Sequence, residues 1–90
     1  MLKYVVFDFC GQEKIALADR VISHDQMIPH IPKALIVSAG FCTINPPSCY
    51  GESTTLNLKS RPEKDTLVLM QYLKSLVPTL EHKTVHNIYV

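Results

Sequence analysis

Ninety residues are enough for one domain, although a chain this short buries only about 60 to 70% of the surface it exposes when unfolded. With 47% hydrophobic residues, 19% charged residues and a formal charge of +1, it has neither a disordered segment's composition nor a charge footprint for nucleic acid or membrane. Three cysteines, an odd number, and a start "MLKYVVFDFCGQEK" without a small-residue cleavage site fit a reducing, cytoplasmic setting, and no apolar run reaches the roughly 18 residues of a membrane span.

The opening "LKYVVFDF" and the following "EKIALADRVI" read as two strands joined at "CGQE". Placing Gly11 and Gln12 in a type II′ turn sets Phe9 opposite Lys14 and Phe7 opposite Ala16. In "SHDQMIPHIP", Ser23 and Gln26 have the spacing of a capping box, while Pro29 and Pro32 limit the helix to a turn or two.

The stretch from Ser38 to Ser53, "SAGFCTINPPSCYGES", is nearly a mirror of itself. Folded as a hairpin around "NPP", it pairs Cys42 with Cys49, Phe41 with Tyr50, Gly40 with Gly51 and Ser38 with Ser53. Alternation then predicts a core face of Leu35, Val37, Ala39, Phe41, Tyr50, Thr54, Leu56 and Leu58. The opposite face carries Ile36, Ser38, Gly40, Cys42, Ile44, Cys49, Gly51, Ser53, Thr55 and Asn57.

A second helix is expected from Ser60 as cap, Pro62 in the first turn, a capping box closed by Glu63, and Glu63 and Asp65 at the positive end of the dipole. Leu69, Met70, Leu73, Leu76 and Val77 form its core stripe, which Leu67, Val68 and Tyr72 widen beyond the needs of one sheet face. Pro78 should end it, and "HKTVHNIYV" should form a fifth strand. The expected fold is a single α+β domain over residues 1–90, a two-layer antiparallel sheet with two helices in the order β-β-α-β-β-α-β.

Chemistry-bearing residues are few. Cys42 and Cys49, directly opposed, are close enough for a disulfide, but with Cys10 left over they are expected to be free thiols. Cys10, Cys42, Cys49, His24, His30, His82 and His86 are a pool of metal ligands without a signature spacing; His82 and His86, four apart, would suit a shared metal on a helix, but on the expected strand they would lie about 13 Å apart. No nucleophile elbow, redox motif or phosphate loop is present, so neither a catalytic residue nor a cofactor is assigned. Glu52, placed by alternation beside Ala39, must pair, be neutralised by burial, or escape through a bulge at Gly51. His24 and Asp25 read as solvated groups near a cap.

The small-residue face of Ser38, Gly40, Cys42, Cys49, Gly51 and Ser53 is the candidate interaction surface, because low side-chain bulk lets another backbone approach. The sequence thus points to a cytoplasmic binding or accessory protein that forms a homodimer and contacts a further protein, with nucleic acid and membrane disfavoured. Either that face or Tyr72 with Tyr89 would carry the dimer contact. The opposed reading is a thiol- or metal-dependent enzyme centred on Cys42, Cys49 and Glu52.

Overall fold

The computed structural model describes the backbone of residues 1–28 and 31–87, and the side chains of these residues up to Leu76. The chain opens with a hairpin of β1 (Leu2–Phe9) and β2 (Gln12–Asp19), whose two-residue turn is Cys10 and Gly11, with φ of 55° and 82°. Both are left-handed, as a type I′ turn requires, and the Gly11 amide donates to Asp8 Oδ1 at 2.9 Å. Phe9 therefore lies opposite Gln12 and Phe7 opposite Lys14, two residues away from the register expected with Gly11 and Gln12 in the turn. A shift of two keeps every side chain on its expected face.

After β2, a 3-10 turn at His24–Met27 is capped by Ser23 in the full capping box with Gln26, and a second 3-10 turn spans Lys33–Leu35. Strand β3 (Ile36–Ile44) pairs antiparallel with β1, Tyr4 opposite Gly40 and Val6 opposite Ser38, with an irregularity between Val6 and Phe7. Strand β4 (Pro47–Tyr50) returns along β3 and sets Cys42 opposite Cys49 and Phe41 opposite Tyr50, as the mirror predicts. The sheet order is β2-β1-β3-β4.

The mirror stops at Tyr50. Gly51 has a φ of 80°, and a Cβ there would lie 2.9 Å from the Phe41 ring, so the chain turns away before Gly40 can pair with Gly51 or Ser38 with Ser53. Glu52–Ser53 (β5) instead pairs with Leu58–Lys59 (β6) in a separate two-stranded sheet. A single α-helix, α1 (Pro62–Asn87), completes the described chain.

This corrects the expected order β-β-α-β-β-α-β. One α-helix, not two, accompanies a four-stranded antiparallel sheet and a small second sheet. The segment after Ser23 is too interrupted by proline to progress beyond 3-10 turns. At the other end, α1 passes Pro78 and takes in "HKTVHN". Once nucleated, a helix adds residues at little cost, and Leu80, Glu81 and Lys83 are good helix formers. The remaining "IYV" of the expected fifth strand, including Tyr89, lies outside the described residues.

The main sheet is covered on both faces. Toward α1 lie Tyr4, Val6, Cys42 and Cys49 with Leu69, flanked by Leu2, Ile15, Leu17, Val37 and Leu73. The other face buries Val5 and Ala39 with Ile28, and Met27, Ile31, Ile36, Leu56 and Leu58 pack against them. The expected face assignment is therefore corrected: Leu35 and Tyr50 are exposed and Phe41 is half-buried, whereas Ser38, Gly40, Cys42 and Cys49 are buried. Small side chains there make room for the Tyr4 ring, and a Cβ on Gly40 would sit 3.3 Å from it. Helix α1 turns only a narrow line inward, with Asp65 and Leu69 buried and Leu73 half-buried, while Met70 and Leu76 of the expected stripe face out.

Candidate functional site

The most organised polar cluster is built around Asp65, a fully buried carboxylate in the first turns of α1. Its Oδ2 accepts from the Tyr4 hydroxyl of β1 at 2.5 Å and from the Arg61 backbone N–H at 2.8 Å. Its Oδ1 accepts from the Ser38 hydroxyl of β3 at 2.8 Å and from Arg61 Nε at 3.0 Å. Arg61 then reaches β2, where its two terminal nitrogens grip Glu13 at 3.1 and 2.8 Å. Asp65, rather than Glu63, is thus the side chain that turns back to the start of α1.

The electrostatics follow from this closure. Burial, reinforced by the hydrogen bond to Asp65, pushes the Tyr4 hydroxyl well above its ordinary pKa. The hydrogen bond from Arg61 holds the Glu13 carboxyl below the usual range, and the same bond holds Arg61 charged. Every lone pair of Asp65 that points into the protein has a donor, and among the described residues no buried side-chain nitrogen or oxygen lacks a partner. The cluster acts as a clasp joining β1, β2, β3 and α1.

Beside it lie the two opposed cysteines. Cys42 and Cys49 are buried free thiols, and the Cys49 thiol is pushed up by its hydrogen bond with Cys42 and by burial, so it stays protonated at neutral pH. The Cys49 backbone N–H donates to Thr66 Oγ1 of α1 at 3.0 Å. Cys10 is exposed in the β1–β2 turn.

The other residues singled out from the sequence are dispersed. Of the candidate interaction face, Ser38, Gly40, Cys42 and Cys49 lie in the main sheet and are covered by the chain itself, Ser53 is buried in the β5–β6 hairpin, and Gly51 is exposed at the turn between the sheets. Glu52 escapes burial through that turn: it is exposed on β5 opposite Lys59. His24, expected in solvent, is 3% exposed; its Nε2–H donates to the Gly40 carbonyl at 2.9 Å and its ring meets Phe41 edge-on. Asp25 is exposed.

His82 and His86 fall within α1 rather than on a strand, their side chains outside the described ones, and His30 lies outside the described residues. No group of three or more metal-ligating side chains converges among the described residues. No described helix is long and apolar enough to cross a membrane.

The sequence reading missed the clasp. Its only local signal is the Arg61 to Asp65 spacing of four, which suits a helical ion pair; Glu13 lies 48 residues from Arg61 and nothing local connects them.

Two surface hollows flank α1. One, of about 450 Å³, runs between β2 and the helix and is lined by Glu13, Ile15, Val68, Gln71, Tyr72 and Ser75 among others. The second, of about 410 Å³, lies toward β4 and is lined by Pro47, Leu67, Met70, Gln71, Leu73 and Lys74. No protein-family model, curated protein or solved structure matches the chain.

Proposed function

We propose that the chain is a small binding or accessory protein that acts by contact with macromolecules and associates with itself as a homodimer. The observation that carries this reading is the apolar surface left on α1: Leu67 is 59% exposed, Met70 46%, Tyr72 39% and Leu76 38%. A helix whose inward line is already satisfied by Asp65, Leu69 and Leu73 gains nothing from these four side chains unless something covers them. A second copy is the simplest cover, since an isologous contact buries the same patch twice.

The polar interior favours binding over catalysis in the same way: the Tyr4, Asp65 and Arg61 groups are spent within the clasp, and Glu13, which borders the hollow beside β2, is held by Arg61. The net charge of +1 disfavours nucleic acid, and three free cysteines suit a cytoplasmic setting. Light scattering on the full chain across micromolar concentrations tests the reading. A mass near twice that of one chain is expected, and a monomer throughout would overturn it.

A further inference from the structure

We infer that two copies join edge to edge through β2, antiparallel, with a two-fold axis through Ile15 that merges their two four-stranded sheets into one. This rests on the self-association reading; the contact it names lies on the Tyr72 side of α1, and Leu67 and Met70, which line the hollow toward β4, stay outside it. Of the two sheet edges, β4 is short, begins with Pro47, which has no N–H, and has its Cys49 amide engaged by Thr66. Strand β2 is the open one, eight residues long with no proline or irregular pairing. Its centre, "IALA" at 15–18, carries none of the charges that usually blunt an edge.

The turn fixes which backbone groups face outward. A two-residue turn closes on a hydrogen-bonded pair, here Phe9 with Gln12, so Gln12, Lys14, Ala16 and Ala18 bond to β1. Glu13, Ile15, Leu17 and Asp19 then present their N–H and C=O groups away from it. The Asp19 carbonyl already accepts from the Ile22 N–H at 3.0 Å. That leaves three consecutive outward residues, Glu13, Ile15 and Leu17, with no backbone partner among the described residues.

A strand is the one structure that meets such a row, and symmetry selects the register. With the axis perpendicular to the sheet, both α1 helices lie on the same side, and opposed residues must share a face. Ile15 against Ile15 places Glu13 against Leu17 on either side and satisfies all three residues of both copies. Sliding the register one step toward the C-terminus opposes Glu13 to Asp19, two like charges, and calls on the occupied Asp19 carbonyl. Sliding it the other way leaves Leu17 opposite the turn residue Gly11.

In the chosen register no like charges are opposed, since Lys14 faces Ala16. The hollow beside β2, with Val68 and Tyr72 on its helix wall, is brought against the partner's own.

Two measurements on the full chain test this. Residue-resolved amide exchange should show Glu13, Ile15 and Leu17 protected together in the dimer and losing protection on dilution, although all three point away from β1. In parallel, Ala16→Glu, placed opposite Lys14 of the second copy, should dimerise at least about five-fold more tightly than Ala16→Lys, which opposes two lysines. A dimer with these amides unprotected, or with equal affinity for the two variants, would overturn the β2 interface while leaving self-association standing. A monomer would remove both.

Discussion

Tyr4 and Asp65, sixty-one residues apart in the chain, meet in a fully buried hydrogen bond that fastens the central strand β1 to the first turns of α1. Helix α1 turns few side chains inward, so its position depends on this contact and on Leu69 more than on a broad apolar stripe. Its outer surface is thereby left apolar and available.

Removing the carboxylate should therefore be among the most damaging single changes. Asp65→Ala strands the Tyr4 and Ser38 hydroxyls and leaves Arg61 with one acid instead of two, so a loss of about 3 to 5 kcal/mol is expected, as when one member of a buried pair is deleted. Tyr4→Phe deletes a single bond to a charged acceptor and should cost about 1.5 to 3 kcal/mol. Urea unfolding gives both values. An Asp65→Ala loss below about 1 kcal/mol would show that the clasp does not hold α1 in place.

The clasp also predicts how stability bends with pH. Glu13 has a lowered pKa because of Arg61, so its contribution is present above the unfolded value of about 4.3 and disappears as pH falls through the folded one. Because Glu13 is partly exposed, that acid limb should be shallow, and Glu13→Gln should flatten it. Tyr4 has the opposite sign: its pKa is raised, so its contribution is full below about pH 10 and is lost above, as the unfolded chain ionises first. Unfolding midpoints measured from pH 3 to 11 should be highest between these limbs, and Tyr4→Phe should soften the alkaline one.

Thiol chemistry should separate the three cysteines. In the native protein a maleimide should label Cys10 alone, because Cys42 and Cys49 are buried and the Cys49 thiol is held protonated. All three should react once the chain is unfolded. Mass spectrometry of intact protein reads both states, and labelling of Cys49 as fast as Cys10 would mean that β4 opens readily from α1.

What could be read from the sequence was what local rules govern. The capping box at Ser23 and Gln26 needs only a spacing of three, and the pairing of Cys42 with Cys49 follows from alternation around "NPP". On β3 and β4 the sequence places the core on the face of Ala39 and Phe41, and Ala39, Leu56 and Leu58 do pack into a core; the opposite face, with Cys42 and Cys49, is buried as well, because alternation says which residues share a face and not how many faces will be covered. Larger side chains suggested a core at Phe41 and Tyr50, but a sheet covered on both sides needs small residues where a ring such as Tyr4 must fit. The helix extent was misread at Pro78 and the second α-helix at Ser23, both being places where proline competes with the neighbouring residues. Glu13, Arg61 and Asp65 come together only once β2 and α1 are placed in space.

Gly40 distinguishes the buried face from an interface. It lies opposite Tyr4, and a Cβ added there would be 2.5 Å from the Tyr50 carbonyl oxygen, 3.2 Å from Ser60 Cβ and 3.3 Å from the Tyr4 ring. Backbone cannot yield as a flexible side chain does, so Gly40→Ala should cost about 3 kcal/mol or more, at the upper end for overpacking. Gly11 provides the contrast: a Cβ there meets nothing within 4 Å, and only its φ of 82° opposes substitution, so Gly11→Ala should cost about 1 to 2 kcal/mol. Both are read from the same denaturant series. If Gly40→Ala instead kept full stability and only reduced the mass seen by light scattering, Gly40 would lie between copies and not beneath α1.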